Sequence, residues 1–138
     1  MIGGLDVTAK RNFFGSQLGS FVQSLNTSDG DEVRRSACVC ACARGLTPSC
    51  QAYQAVFIRA PCVTRVGKNV QVLATVAHAP TSAEAKGDGS AVVVAVRQGN
   101  LVATSFHPEL AADDVRWHAR FADVCREAKA RTPSSPPR

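Results

Sequence analysis

Aromatic residues are scarce in this chain: one Trp, one Tyr and six Phe among 138 residues. Only Phe13 and Phe14 lie side by side. A surface that binds nucleic acid wants dense positive charge interleaved with stacking rings. The net charge of +5 comes instead from basic residues scattered between Lys10 and Arg138, with no block of one sign. No nucleic-acid partner is expected. Long apolar runs are missing too. Nothing approaches the roughly 20 residues needed to span a bilayer, so no membrane partner is expected. The opening MIGGLDVTAKRNFF has no continuous apolar core and no small-residue cleavage site, the marks of a secretory leader. The chain is therefore read as cytoplasmic, in a reducing compartment where its six cysteines stay thiols. Paired metal knuckles are absent as well. Cys38, Cys40 and Cys42 have only the distant Cys50 beside them and no nearby His, whereas structural zinc sites pair two such knuckles. No metal site and no cofactor are expected.

What is present is enough for one domain with one core. Its most organised stretch is Val92 to Leu110, VVVAVRQGNLVATSFHPEL. Val92 to Val96 is a β-branched run long enough for one strand. Gln98-Gly99-Asn100 is a turn signal, because glycine takes a positive φ at no steric cost. Leu101 to Phe106 is a second strand, and it stops at His107-Pro108-Glu109. In extended chain, side chains two residues apart point the same way. Pro108 stiffens the backbone between them. His107 and Glu109 thus form a candidate base with its orienting carboxylate, half of a nucleophilic triad.

Around this hairpin the periodicities predict further elements. Residues 55–58 read as a buried strand, followed by Arg59 at its carboxyl end, where open α/β sheets put ligand contacts. An arginine there can hold a carboxylate through two hydrogen bonds. Val70, Val72, Ala74 and Val76 alternate and predict a strand over 70–76 with one buried face. Lys10 to Phe21 reads as loop and short strand, and Leu5 to Val7 makes a poor first strand. Residues 112–131 predict a helix capped by Asp113 or Asp114, with Trp117, Phe121, Val124 and Ala128 on one face. His118 on that helix packs or faces solvent. TPSSPPR, residues 132–138, reads as a disordered tail.

VRQGNLVATSFHPEL resembles the C-terminal motif of class I glutamine amidotransferases. It is most similar to the branch formed by the glutaminase subunits of pyridoxal 5′-phosphate synthase. GGLDVT with RNFFGSQ, and FIRAP at 57–61, resemble the same branch. The resemblance implies an α/β, flavodoxin-like, three-layer domain with a mixed sheet and a C-terminal helix. It covers the C-terminal portion of that domain as residues 1–131, with the Cys-rich stretch 34–51 as an atypical insert. It implies that His107 and Glu109 are catalytic and that Arg11, Ile58 and Arg59 bind L-glutamine. It implies a synthase subunit as partner, which receives the ammonia, and no cofactor.

The family's Gly-Gly-Glu substrate loop and its Gly-x-Cys-x-Gly nucleophile turn have no counterpart here, and none of the six cysteines sits in such a context. The polypeptide by itself is therefore expected to be inactive. Three other readings stay open: a truncated subunit that only binds the synthase, a gene-model fragment with 34–51 as translated intron, and a Cys-cluster metal protein.

Overall fold

A computed structural model describes residues 4–14, 20–27, 52–77, 91–111 and 114–131. The strands are β1 (Val7–Lys10), β2 (Phe21–Ser24), β3 (Asn26–Thr27), β4 (Gln54–Phe57), β5 (Cys62–Val66), β6 (Gln71–Val76), β7 (Val92–Gln98) and β8 (Leu101–Thr104). A 3-10 turn (Pro108–Leu110) and a helix α1 (Arg116–Arg131) complete the described elements. The expected Cys-rich insert, the tail 132–138 and Asp113 lie outside the described residues.

β7 is central because its sequence suits burial on both faces. Val94, Ala95 and Val96 are all at most 1% exposed, as a near-continuous β-branched run predicts. The main sheet runs β1-β5-β7-β6-β3, with β8 also on β7. A separate two-stranded sheet pairs β2 with β4. Every pairing described is antiparallel. Together with α1 this gives the α/β class the sequence implies. The β7–β8 hairpin closes as expected, with Gln98 opposite Leu101 and Gly99 at φ +60°.

Three expectations need correction. The first concerns β6. Its register against β7 slips on both sides of Ala74. That irregularity turns Leu73 and Ala74, neighbours in sequence, both into the core, while Val72 is only half-buried. A strict two-residue alternation cannot survive an extra residue in one strand. The second concerns the first strand. Val7–Lys10 does form one, held by β5 through Val7↔Val66 and Lys10↔Cys62. Asp6 anchors its start: its carbonyl accepts from Gly67 N–H at 2.9 Å and its carboxylate from Arg65 at 2.8 Å. A Cβ at Gly67 would fall 2.0 Å from Asp6 Oδ2, so the approach requires glycine. β5 itself carried too little apolar periodicity to be anticipated.

The third concerns α1. It begins at Arg116 rather than Ala112. Asp114 Oδ1 accepts the Arg116 backbone N–H at 3.2 Å, and Val115 C=O accepts from Ala119 at 2.9 Å. Trp117 and Val124 are buried, but Phe121 is 55% exposed. α1 leans on the hairpin by its other flank, where Arg97 donates to Glu127 at 2.5 Å.

The few aromatic rings gather into one chain of contacts. Phe13 meets Phe14, Phe14 meets Phe21 and Phe57, and Phe57 meets Phe106 at 5.9 Å. Phe106 meets Trp117 edge-on at 5.0 Å, and Tyr53 touches both. Phe121 alone among the chain's rings stands outside it. Such offset and edge-on contacts add to the burial each ring already contributes. This cluster is what places the candidate site. Arg11, Ile58 and His107 each lie within two residues of one of its members.

Candidate active site

Ser105 N–H donates to Val94 C=O at 2.8 Å, and the next ring, Phe106, turns into the core at 3% exposure. His107 follows with φ −99° and ψ 93°, still extended. Pro108 then opens the 3-10 turn, since its fixed φ suits a helical start and its missing N–H costs nothing there. Leu110 N–H closes the turn on His107 C=O at 3.2 Å. The expected extended backbone through Glu109 is thus replaced by a turn. The juxtaposition it was meant to create is nevertheless present: His107 Nδ1 and Glu109 Oε1 are 2.8 Å apart.

That contact gives the pair a direction. The hydrogen bond from His107 holds the Glu109 carboxyl below its ordinary range, and the charges of His107 and His118 add to the effect. With Nδ1 engaged by the carboxylate, Nε2 is the ring nitrogen left for an external proton partner. The imidazole side chain is 40% exposed and the carboxylate 61%. The pair therefore faces outward, open to a nucleophile carried by another segment.

His107 is fastened to β4 by a second bond. Its backbone N–H donates to Val56 C=O at 2.9 Å, two residues before Ile58. Ile58 is half-buried and Arg59 exposed. Arg59 has φ 48° and Asn12 φ 52°, the two positive-φ residues other than glycine among those described. Left-handed backbone costs an L-residue about 1–2 kcal/mol, and such strain clusters at binding sites. Arg11, beside Asn12, leaves β1 just past the Lys10↔Cys62 pair. Cys62 in turn begins β5 three residues after Arg59. The register thus carries Arg11 and Arg59 to one end of the β1–β5 ladder, and the Val56 bond carries His107 to the start of the same crossover.

Sequence reasoning missed a neighbouring group. Arg116 donates to both oxygens of Asp114, at 2.8 Å and 2.5 Å, and its guanidinium lies 5.4 Å from the Tyr53 ring centre. Tyr53 is 2% exposed, and burial, with the charge of Asp114, pushes its phenol up to about 12. The Asp-x-Arg spacing at a helix start was the available signal. Nothing in the sequence marked Tyr53. Among the described residues no group of three or more His, Cys, Asp or Glu could hold a metal ion. No helix there is long and apolar enough to cross a membrane.

Comparison with known proteins gives the family of the chain. The chain is 42% identical over 127 residues to the pyridoxal 5′-phosphate synthase subunit PdxT of Salinispora tropica, covering 91% of this chain and 49% of that protein. It is 37% identical over 151 residues to a probable pyridoxal 5′-phosphate synthase subunit PDX2 of Arabidopsis thaliana, covering 98% and 52%. A solved structure titled as a crystal structure of glutamine amidotransferase superposes with a TM-score of 0.59 at 32% identity, covering 90% of this chain and 48% of the other. The chain spans about half the length of these relatives. The profile of the SNO glutamine amidotransferase family matches residues 1–127. With that match running through β1, the β4–β5 crossover, the hairpin and most of α1, the chain belongs to the SNO glutamine amidotransferase family.

Proposed function

We propose that this chain carries the His–Glu half of the glutaminase subunit of pyridoxal 5′-phosphate synthase, which hydrolyses L-glutamine to glutamate and ammonia for vitamin B6 synthesis. The 2.8 Å contact between His107 and Glu109 is the observation that carries the reading. A cysteine thiol from the family's other half gives its proton to His107 Nε2 and attacks the side-chain amide carbon. His107 returns the proton to the departing nitrogen, and ammonia leaves a thioester. Water then attacks the thioester with His107 as base, and the proton goes back to sulfur as glutamate departs. Glu109 holds the tautomer and offsets the imidazolium charge. Arg11 and Arg59 hold the glutamine α-carboxylate, and the Ile58 segment lies along the substrate. The partner is the synthase subunit, which takes the ammonia, and a reducing cytoplasm suits a thiol nucleophile. No metal or organic cofactor enters the scheme.

The test is glutamate release from the synthase complex formed with a full-length subunit carrying this half. His107→Asn lowers kcat on the order of a thousandfold or more. Retained activity in that variant overturns the reading. The second reading, a subunit that docks without catalysis, is favoured by the lack of any cysteine in a Gly-x-Cys-x-Gly setting in these 138 residues. It predicts that the 138-residue chain binds synthase and releases no glutamate.

A further inference from the structure

Asn12 holds its backbone at φ 52°, where glycine is the usual occupant. It is exposed, so packing of its side chain does not explain the residue type. The course of the chain does. β1 ends at Lys10, held opposite Cys62. Phe13 and Phe14 meet edge-on at 5.2 Å, and Phe14, itself buried, is held against Phe21 at 5.4 Å and Phe57 at 5.3 Å. Only Arg11 and Asn12 lie between the ladder and those rings. The chain has two residues in which to leave the sheet and enter the aromatic cluster, and one left-handed residue makes that corner. Asparagine is among the few side chains that tolerate it, because its short amide can bond to nearby backbone. Arg11 is thus held from both sides: the ladder fixes the chain before it and the corner fixes the chain after it. Arg59, at φ 48°, stands on a corner of its own three residues before Cys62.

We propose that Asn12 is a positioning residue for substrate binding, its left-handed backbone fixing the corner that presents Arg11 to the glutamine α-carboxylate. A long unbranched side chain loses much freedom when it is held on a ligand, and a preset backbone lowers that cost. Asn12 touches no substrate atom, and its effect runs through Arg11 alone. The proposal deepens the function proposed above and rests on its assignment of Arg11. An alanine at position 12 lets the corner relax toward right-handed or extended backbone. Glutamine then binds only the fraction of molecules that keeps the corner, and the apparent affinity falls by that fraction.

The test uses the synthase complex formed with a full-length subunit carrying this half, and reads KM and kcat for glutamine beside the thermal midpoint. Asn12→Ala is expected to raise KM about 5- to 30-fold, which is about 1–2 kcal/mol of left-handed strain at about 1.4 kcal/mol per tenfold, with kcat unchanged. Asn12→Gly keeps KM within about twofold, because glycine takes this φ at no steric cost. In an Arg11→Ala background, Asn12→Ala raises KM no further. A lower thermal midpoint with KM unmoved in Asn12→Ala overturns the proposal, since the corner then serves the fold alone. A KM raised as much by Asn12→Gly as by Asn12→Ala overturns it too, since the amide itself then meets the substrate. Should Arg11→Ala leave KM unmoved, the assignment of Arg11 to the substrate fails and this proposal falls with it. Should Arg11→Ala raise KM while Asn12→Ala does not, that assignment stands and only this proposal falls.

Discussion

The backbone N–H of His107 donates to the carbonyl of Val56 at 2.9 Å, across 51 positions of sequence. This one main-chain bond joins the end of the β7–β8 hairpin to β4, and so joins the candidate proton carrier to the candidate substrate crossover. What disturbs β4 must therefore move the imidazole.

Phe57 is the residue through which such a disturbance acts most strongly. It is 1% exposed and touches Phe14, Phe21 and Phe106. Phe57→Ala is expected to cost about 3–5 kcal/mol, read as a lower urea midpoint. Phe121→Ala, at a ring 55% exposed on α1, should cost less than about 1 kcal/mol.

Arg59 should show stability and function pulling apart. At φ 48° its backbone sits where glycine is favoured. Arg59→Gly is expected to raise stability by about 1 kcal/mol through relief of strain, less the extra chain entropy glycine brings. The same change removes the guanidinium proposed to hold the substrate carboxylate. KM for glutamine should rise about 100-fold or more. Thermal melts and glutaminase kinetics on one preparation check both halves.

Glu109→Gln keeps the shape of the proposed orienting group and removes its charge. Its amide can no longer stabilise the imidazolium or enforce the tautomer that leaves Nε2 free. A loss of kcat between about a hundredfold and ten-thousandfold follows, with KM little changed. Because the hydrogen bond from His107 holds this carboxyl below its ordinary range, the carboxylate contributes to stability above about pH 4.3. That contribution fades as pH falls through the lowered folded value. The gap in stability between wild type and Glu109→Gln should therefore close in acid.

Asp114 and Arg116 give a second acid-sensitive contact, a structural one. Burial raises the Asp114 carboxyl, yet the Arg116 hydrogen bonds outweigh it and leave the group low. Asp114→Asn is expected to cost about 1 kcal/mol at pH 7, a figure discounted for partial solvent screening. The cost should vanish as pH drops below about 3.9 and through the folded midpoint, where wild type too is protonated. Urea midpoints measured from pH 7 down to pH 3 for both proteins check the sign.

Local chemistry decided much of this protein by itself. The β-branched run at Val92–Val96, the glycine at Gly99 and the proline at Pro108 specify a strand, a tight turn and a stop with no help from the rest of the chain. They also bring His107 and Glu109 together, because two positions so close in sequence need only a stiff backbone between them. Trp117 and Val124 were legible as buried from helical spacing alone. Tertiary contact decided the rest. β1 exists because β5 lies against it, and neither strand carries enough apolar pattern to be read singly. The irregular register in β6 overrode its alternation because β7 dictates pairing across the ladder. Phe121 stayed outside because Arg97 and the Phe106–Trp117 contact set how α1 rolls against the sheet. The Lys10↔Cys62 pair and the bond from His107 to Val56 tie the segments of Arg11 and His107 to the two sides of the turn that carries Arg59, and only strand register and a single backbone bond do so. Hydrogen-bonding partners of that kind leave no trace in the spacing of side chains.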